Sequence, residues 1–252
     1  MKTLLEIVFT LKEALFRFAW QFWYLAVIAL VLEAPLYLVL GGSHGQLSHK
    51  QPMDSFWAML SLLSFALLVF LPAAGSCATF GLLGGSMQFP PWARTVYVIR
   101  QHWWTVTKVY IVTGLVAVIL PALAYIPARH APLAVKSILD LSIRIYINVV
   151  MAKFALAAPL AVAENTKEGE ALKRSWQATR ASFWYVLGCT VFAHESENEI
   201  YSLFVRVVDF RWSPVPVIFA WLGIVGFVAT FAIVVQWFVY IHLRTGEAAL
   251  TV

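Results

Sequence analysis

Six long apolar blocks, separated by short stretches that hold nearly all of the charge, dictate what this chain can fold into. They run from Phe18 to Leu40, Phe56 to Leu83, Trp103 to Ile126, Ile145 to Ala163, Phe183 to Ala193 and Val217 to Ile241. Most of them reach the ~20 residues that a helix needs to cross a hydrocarbon layer of ~30 Å. Soluble helices leave a polar face for water, which continuous runs of this length do not provide. Only 12% of the 252 residues are charged and 61% are hydrophobic, whereas soluble domains carry about 25% charge. No segment alternates as a barrel strand must, while a helix satisfies its own backbone within lipid. The expected fold is all-α: a polytopic membrane helical bundle with six transmembrane helices and interfacial amphipathic helices. Residues 1–252 are read as one integral membrane domain.

The formal charge of +5 is explained by orientation rather than by nucleic acid, because Lys and Arg gather on the side that stays inside. With the N-terminus inside, the inner segments hold Lys2, Lys12, Arg17, Arg94, Arg100, Lys108, Lys167, Lys173, Arg174, Arg180 and Arg244. The outer segments hold Lys50, Arg129, Lys136, Arg144, Arg206 and Arg211. Both termini are therefore expected in the cytoplasm. The eleven Trp, nine Tyr and eighteen Phe suit the aromatic belts at the two membrane surfaces.

Residues 1–17 do not read as a signal peptide, because Glu6, Lys12 and Glu13 interrupt any apolar core. Leu4, Leu5, Val8, Leu11 and Leu15 instead recur at helical spacing, which predicts a helix lying along the inner surface. After Pro72 the second block turns to small residues, and Gly81 and Gly85 form a small-xxx-small pair for close helix approach. Pro90-Pro91 ends that block, and the mixed aromatic and basic run Trp92 to Trp104 predicts an interfacial elbow. The segment Ala128 to Arg144 is expected as an outer connection that includes a short surface helix. Residues 165–182 are expected as a cytoplasmic amphipathic helix, with Glu168, Ala171, Leu172, Ser175, Trp176, Thr179 and Phe183 at i, i+3, i+4 spacing. Arg94, Arg100, Lys173, Arg174 and Arg180 are the candidates to contact anionic lipid headgroups. The fifth block is short: either its helix begins early, near Ala171, or the acidic run after it sits in an outer cavity.

One stretch carries a family resemblance. It holds the helix end Ala158-Pro159-Leu160, the turn Val162-Ala163-Glu164, the gapped Ala171, Leu172, Ser175 and Trp176, then Thr179, Phe183 and Trp184. In these residues the chain resembles bacterial six-helix inner-membrane proteins of the YciC type. Those are similar to the membrane domain attached to some glycerophosphoryl diester phosphodiesterases. The resemblance implies the bacterial inner membrane, and a re-entrant or surface helix between crossings four and five. It implies no reaction, since the diesterase chemistry belongs to a separate soluble domain.

Ionisable groups inside a bilayer are costly, at about 2.5–3.5 kcal/mol on insertion scales, so each needs a partner or a task. Glu33 and Lys153 fall at matching depths of roughly 12–13 Å from the outer surface by helical rise. They are expected to form an intramembrane ion pair, as a register-fixing lock or, functionally, as a proton-coupled or anion-binding site. His194, Glu195, Glu197 and Glu199 form an outer acidic run that is a possible cation-binding loop, the simpler reading being a solvated acidic loop. Cys77 and Cys189 lie in apolar blocks without metal-ligand spacing and read as reduced, packed thiols. No Walker A, GxGxxG, HExxH, CxxC or GxSxG motif is present. No catalytic residue, metal or cofactor is assigned, and no enzyme is expected. The leading expectation is a structural or accessory protein of the cell envelope that acts through membrane lipids, a membrane-protein partner or its own copies. The alternative is a carrier or permease for a small or lipidic substrate.

Overall fold

The computed structural model describes residues 2–29, 55–84, 90–128, 132–207 and 215–250. Every element among them is helical: α1 (Lys2–Trp20), α2 (Phe22–Ile28), α3 (Ser55–Gly84), α4 (Pro91–Ala128), α5 (Leu133–Phe154), α6 (Ala157–Ala163), α7 (Glu168–Ala181), α8 (Phe183–Val207) and α9 (Val215–Leu250). Three stretches of the described residues are long and apolar enough to cross a membrane, not six: Pro91–Pro127, Leu133–Ala163 and Gly223–Thr245. They mark a multi-pass membrane protein. Phe70–Gly84 is apolar but shorter, and the outer half of the first expected block lies outside the described residues. The fifth block fails for a physical reason. Its helix α8 runs straight through His194-Glu195-Ser196-Glu197, so the apolar run is too short to span.

Two expected connections are instead helix. No breaker stands between Trp92 and Pro121, so the expected elbow is part of one 38-residue helix, α4. Pro91 occupies its first position, where a missing N–H costs nothing. Likewise α5 starts at Leu133 behind an extended Pro132, and the expected outer connection up to Arg144 is its first half. Tyr125 of α4 donates to the Asp140 carboxylate, and the Tyr146 hydroxyl donates to the Val116 carbonyl at 2.7 Å. These bonds fasten α5 to α4. Leu115, Val118, Ile119, Leu120, Leu123 and Ile126 on α4 face outward, an apolar surface that lipid rather than water must cover.

Helix α1 is amphipathic as expected but is longer than residues 1–17 and is seated on the bundle. Thr10 and Ala14 are buried, and the Thr10 and Tyr185 hydroxyls share a 2.7 Å hydrogen bond to α8. Phe18 packs edge-on against Phe231 of α9. Leu4, Leu5, Val8, Phe9, Leu15 and Phe16 stay exposed, the apolar face that an interfacial helix sinks into the acyl boundary.

Small residues bring α3 close to its neighbours. A Cβ on Gly81 would sit 3.1 Å from the Val98 side chain of α4. The next close approach is at Gly84, where a Cβ would overlap the rigid indole of Trp237 on α9; Gly85 lies outside the described residues. Trp237 also stacks on Phe80 at 5.3 Å, so this ring is wedged between α3 and its own helix.

The break between α5 and α6 follows from Pro159. Proline lacks an N–H and its ring collides with the carbonyl four residues back, here Ala155. The chain tightens there: the Ala155 N–H bonds to Ala152 at 3.4 Å, which leaves the Leu156 N–H and the Lys153 carbonyl without helical partners. Ser175 of α7 serves both. Its hydroxyl accepts from the Leu156 N–H at 3.2 Å and donates to the Lys153 carbonyl at 2.8 Å. Ala171, Ser175 and Thr179, one turn apart, are the buried face of α7. The amphipathic helix expected over 165–182 is thus present, clamped across the break.

Ser175→Ala leaves two buried backbone groups unmet and is expected to lower stability by about 1–3 kcal/mol, read as loss of thermal stability in detergent. Gly84→Ala forces the Trp237 ring to move and is expected to cost about 1–3 kcal/mol as overpacking in the same assay, with Gly114→Ala, which meets nothing within 4 Å, as the harmless control.

Candidate functional site

The C-terminal end of α3, the start of α4, the end of α6, the junction of α1 and α2, and the last turns of α9 meet at one end of the bundle. They enclose a cavity of about 610 Å³, within the 300–1,000 Å³ of small-ligand sites. Arg17, Arg94 and Arg244 line it together with Gln21, Tyr97 and Tyr240. Phe80, Leu83, Val98, Trp237, Phe238 and Ile241 supply an apolar wall. Among the described residues no wall of the cavity is acidic. Its three guanidiniums all come from segments whose charge predicts an inner location.

Behind the cavity a polar network ties three elements. The Tyr240 hydroxyl donates to Glu164 at 3.1 Å and accepts from Arg244 at 3.1 Å. The other oxygen of Glu164 takes Arg174 at 2.7 Å, and Arg174 also meets Glu170 at 3.0 Å. Glu164 is placed by the end of α6, where Asn165 takes the left-handed conformation (φ 51°) that asparagine tolerates better than most residues. The Thr166 hydroxyl closes this turn by donating to the Leu160 carbonyl at 3.2 Å.

The expected headgroup contacts divide accordingly. Arg94 lines the cavity, whereas Arg174 is held by Glu164 and Glu170 within the protein. Arg100, Lys173 and Arg180 are exposed. Arg17, Arg244 and Tyr240 are the site residues that sequence reasoning missed. The charge count placed both arginines inside, but no spacing joins positions so far apart.

Lys153 lies beside α7. Because α5 begins at Leu133, Lys153 sits in its last turn, with Nζ 4.8 Å from the Phe183 ring and 5.2 Å from the Trp176 ring, a cation–π arrangement. Its expected partner Glu33 lies outside the described residues.

The acidic run is helical, not a loop. Glu195 and Glu199, one turn apart on α8, line a second cleft of about 200 Å³ with His194, Ser202 and Arg206, facing Arg144 and Asn148 of α5. The Asn148 amide donates to Glu195 at 3.1 Å. Glu197 does not line this cleft, as the 3.6-residue period requires. No three His, Cys, Asp or Glu side chains come together to hold a metal ion among the described residues, and the cation reading is not supported. The cleft carries charge of both signs.

No protein family, curated protein or solved structure matches this chain.

At the first turn of α7, Glu168 accepts from Lys108 at 3.0 Å. The bond to its own backbone N–H, then that to Lys108, holds its carboxyl below the ordinary value of 4.5. A carboxyl lowered on folding adds stability above its unfolded pKa and loses it as the pH falls through the folded one. Glu168→Gln is therefore expected to lower stability slightly at pH 7, where the ionised carboxyl contributes, and to blunt the further loss of stability as the pH falls below about 4.5. With both side chains more than a third exposed, the effect stays below that of Ser175→Ala, as melting temperature against pH will show.

Proposed function

We propose that this chain is a non-enzymatic, multi-pass protein of the cell envelope, structural or accessory, that works by holding a membrane lipid through its anionic headgroup. The observation that carries this reading is the convergence of Arg17, Arg94 and Arg244 on one cavity with an aromatic and aliphatic wall. Arginine stays charged at any pH the protein meets and binds phosphate through a planar fork. A lipid offers both parts that this cavity accepts, a charged head and an apolar stem. The exposed apolar face of α1, which brings Arg17, fits the same setting.

A second reading, a carrier for a small or lipidic substrate, is favoured by the cleft between α5 and α8. Polar and charged side chains facing one another between apolar helices are a common mark of a substrate path.

Native mass spectrometry of the full chain in mild detergent tests the two. Headgroup holding predicts that anionic phospholipid stays bound and that Arg17→Gln with Arg94→Gln and Arg244→Gln releases it from folded protein. If retention survives that triple change and falls with Arg144→Gln, the cleft is the binding site and the first reading fails.

A further inference from the structure

We infer that the cleft between α5 and α8 is a binding site for a small zwitterion, a group that carries an ammonium and an oxyanion a few bonds apart. The inference rests on the carrier reading above and names its substrate class; it makes no use of the arginine-lined cavity.

The signs of the lining are the first argument. Arg144 of α5 and Arg206 of α8 border the same small space as Glu195 and Glu199. Among the described residues the ion pairs lie elsewhere, at Glu168 and around Arg174, so these two guanidiniums do not close onto the two carboxylates. Glu195 is held instead by the Asn148 amide at 3.1 Å. Arg144, Glu199 and Arg206 are exposed and so within reach of a ligand. A ligand of one sign gains little here, since it meets two charges that attract it and two that repel it. A ligand of both signs gains at each end, its ammonium from the carboxylates and its oxyanion from the guanidinium forks. Each exposed pair contributes only about 0.2–1 kcal/mol, so selectivity comes from meeting both ends together.

Size and placement are the second argument. The space of about 200 Å³ falls below the 300–1,000 Å³ of most small-molecule sites and equals the share of roughly seven waters at about 30 Å³ each. That suits a short amino acid or the phosphoethanolamine end of a lipid. Glu195, Glu199, Ser202 and Arg206 recur at i, i+4, i+7 and i+11, one stripe along α8. Its acids stand at one end and its guanidinium about 10 Å further along the axis, so the stripe has two poles. At the acidic pole the Asn148 carbonyl oxygen is buried without a hydrogen-bond partner among the described residues, one more acceptor beside Glu195.

The test uses the full chain in detergent. Glycine, γ-aminobutyrate and phosphoethanolamine are the soluble probes and ethylamine and acetate the single-charge controls, titrated by saturation-transfer NMR. Dioleoyl phosphatidylethanolamine is set against dioleoyl phosphatidylglycerol by native mass spectrometry. At least one soluble zwitterion, or the zwitterionic lipid, is expected to bind at least about fivefold tighter than its single-charge counterpart, or about 1 kcal/mol. A soluble probe that binds identifies a free solute as the source, and retention of phosphatidylethanolamine alone identifies a lipid headgroup; either result supports the inference. Arg144→Gln and Glu199→Gln are each expected to erase the margin while the ligand-free melting temperature stays near that of the parent. Lys136→Gln, which removes a charge of α5 outside the cleft, is expected to keep it. Arg206→Gln carries the assignment if either of the first two fails to fold. Single-charge ligands that bind as tightly as zwitterions overturn the inference, and a margin that survives the cleft variants overturns its assignment to this cleft. Anionic lipid lost with Arg144→Gln while no zwitterion binds overturns the substrate class and leaves the carrier reading standing. Binding of neither kind of ligand at the cleft overturns both.

Discussion

One hydroxyl holds the architecture in place. Pro159 obliges the chain to break where α5 hands over to α6, and inside lipid each freed backbone group costs several kcal/mol unless it finds a partner. Ser175 supplies that partner to the Leu156 N–H and the Lys153 carbonyl at once. Because it arrives on α7, the break and the amphipathic helix cannot form independently. The turn after α6 then delivers Glu164 beneath Tyr240, so the wall of the cavity depends on a contact made nearly twenty residues later in the chain.

Electrostatics divide the molecule in two. At the cavity end Glu164 and Glu170 are drawn into a network with Arg174 and Tyr240, and Arg17, Arg94 and Arg244 line the open volume. In the cleft between α5 and α8 the signs are mixed, and the Asn148 amide rather than a cation holds Glu195. On the proposed reading the first arrangement favours an anion; the second is neutral on balance. That difference is why the cavity, and not the cleft, carries the functional reading.

Much of the fold was legible because lipid imposes few solutions. Long apolar runs predicted helices, and of the seven positions read as one face of α7, Ala171, Ser175 and Thr179 are buried while Trp176 is exposed. What failed did so for identifiable reasons. The run Trp92 to Trp104 was expected as an elbow, but composition does not bend a helix, and no proline stands between Pro91 and Pro121 to break this one. Acidic residues after Ala193 looked like a loop, yet Glu195 and Glu199 are one turn apart and keep helical register. The cavity itself was invisible in the sequence, since Arg17, Arg94 and Arg244 share neither a motif nor a period and are joined only by tertiary packing.

The length of α4 has a consequence for how a ligand reaches the cavity. Thirty-eight residues measure about 57 Å along a helix axis, nearly twice a hydrocarbon layer of about 30 Å. One part of it must therefore leave the oily interior. The outward-facing leucines and isoleucines between Leu115 and Ile126 claim the hydrocarbon, so the share left for the headgroup layer is the beginning, with Arg94, Tyr97 and Arg100. On the proposed reading the mouth of the cavity then lies level with the heads of one leaflet. A lipid drifting in that leaflet needs only to slide sideways to be captured, with its tail never leaving the bilayer.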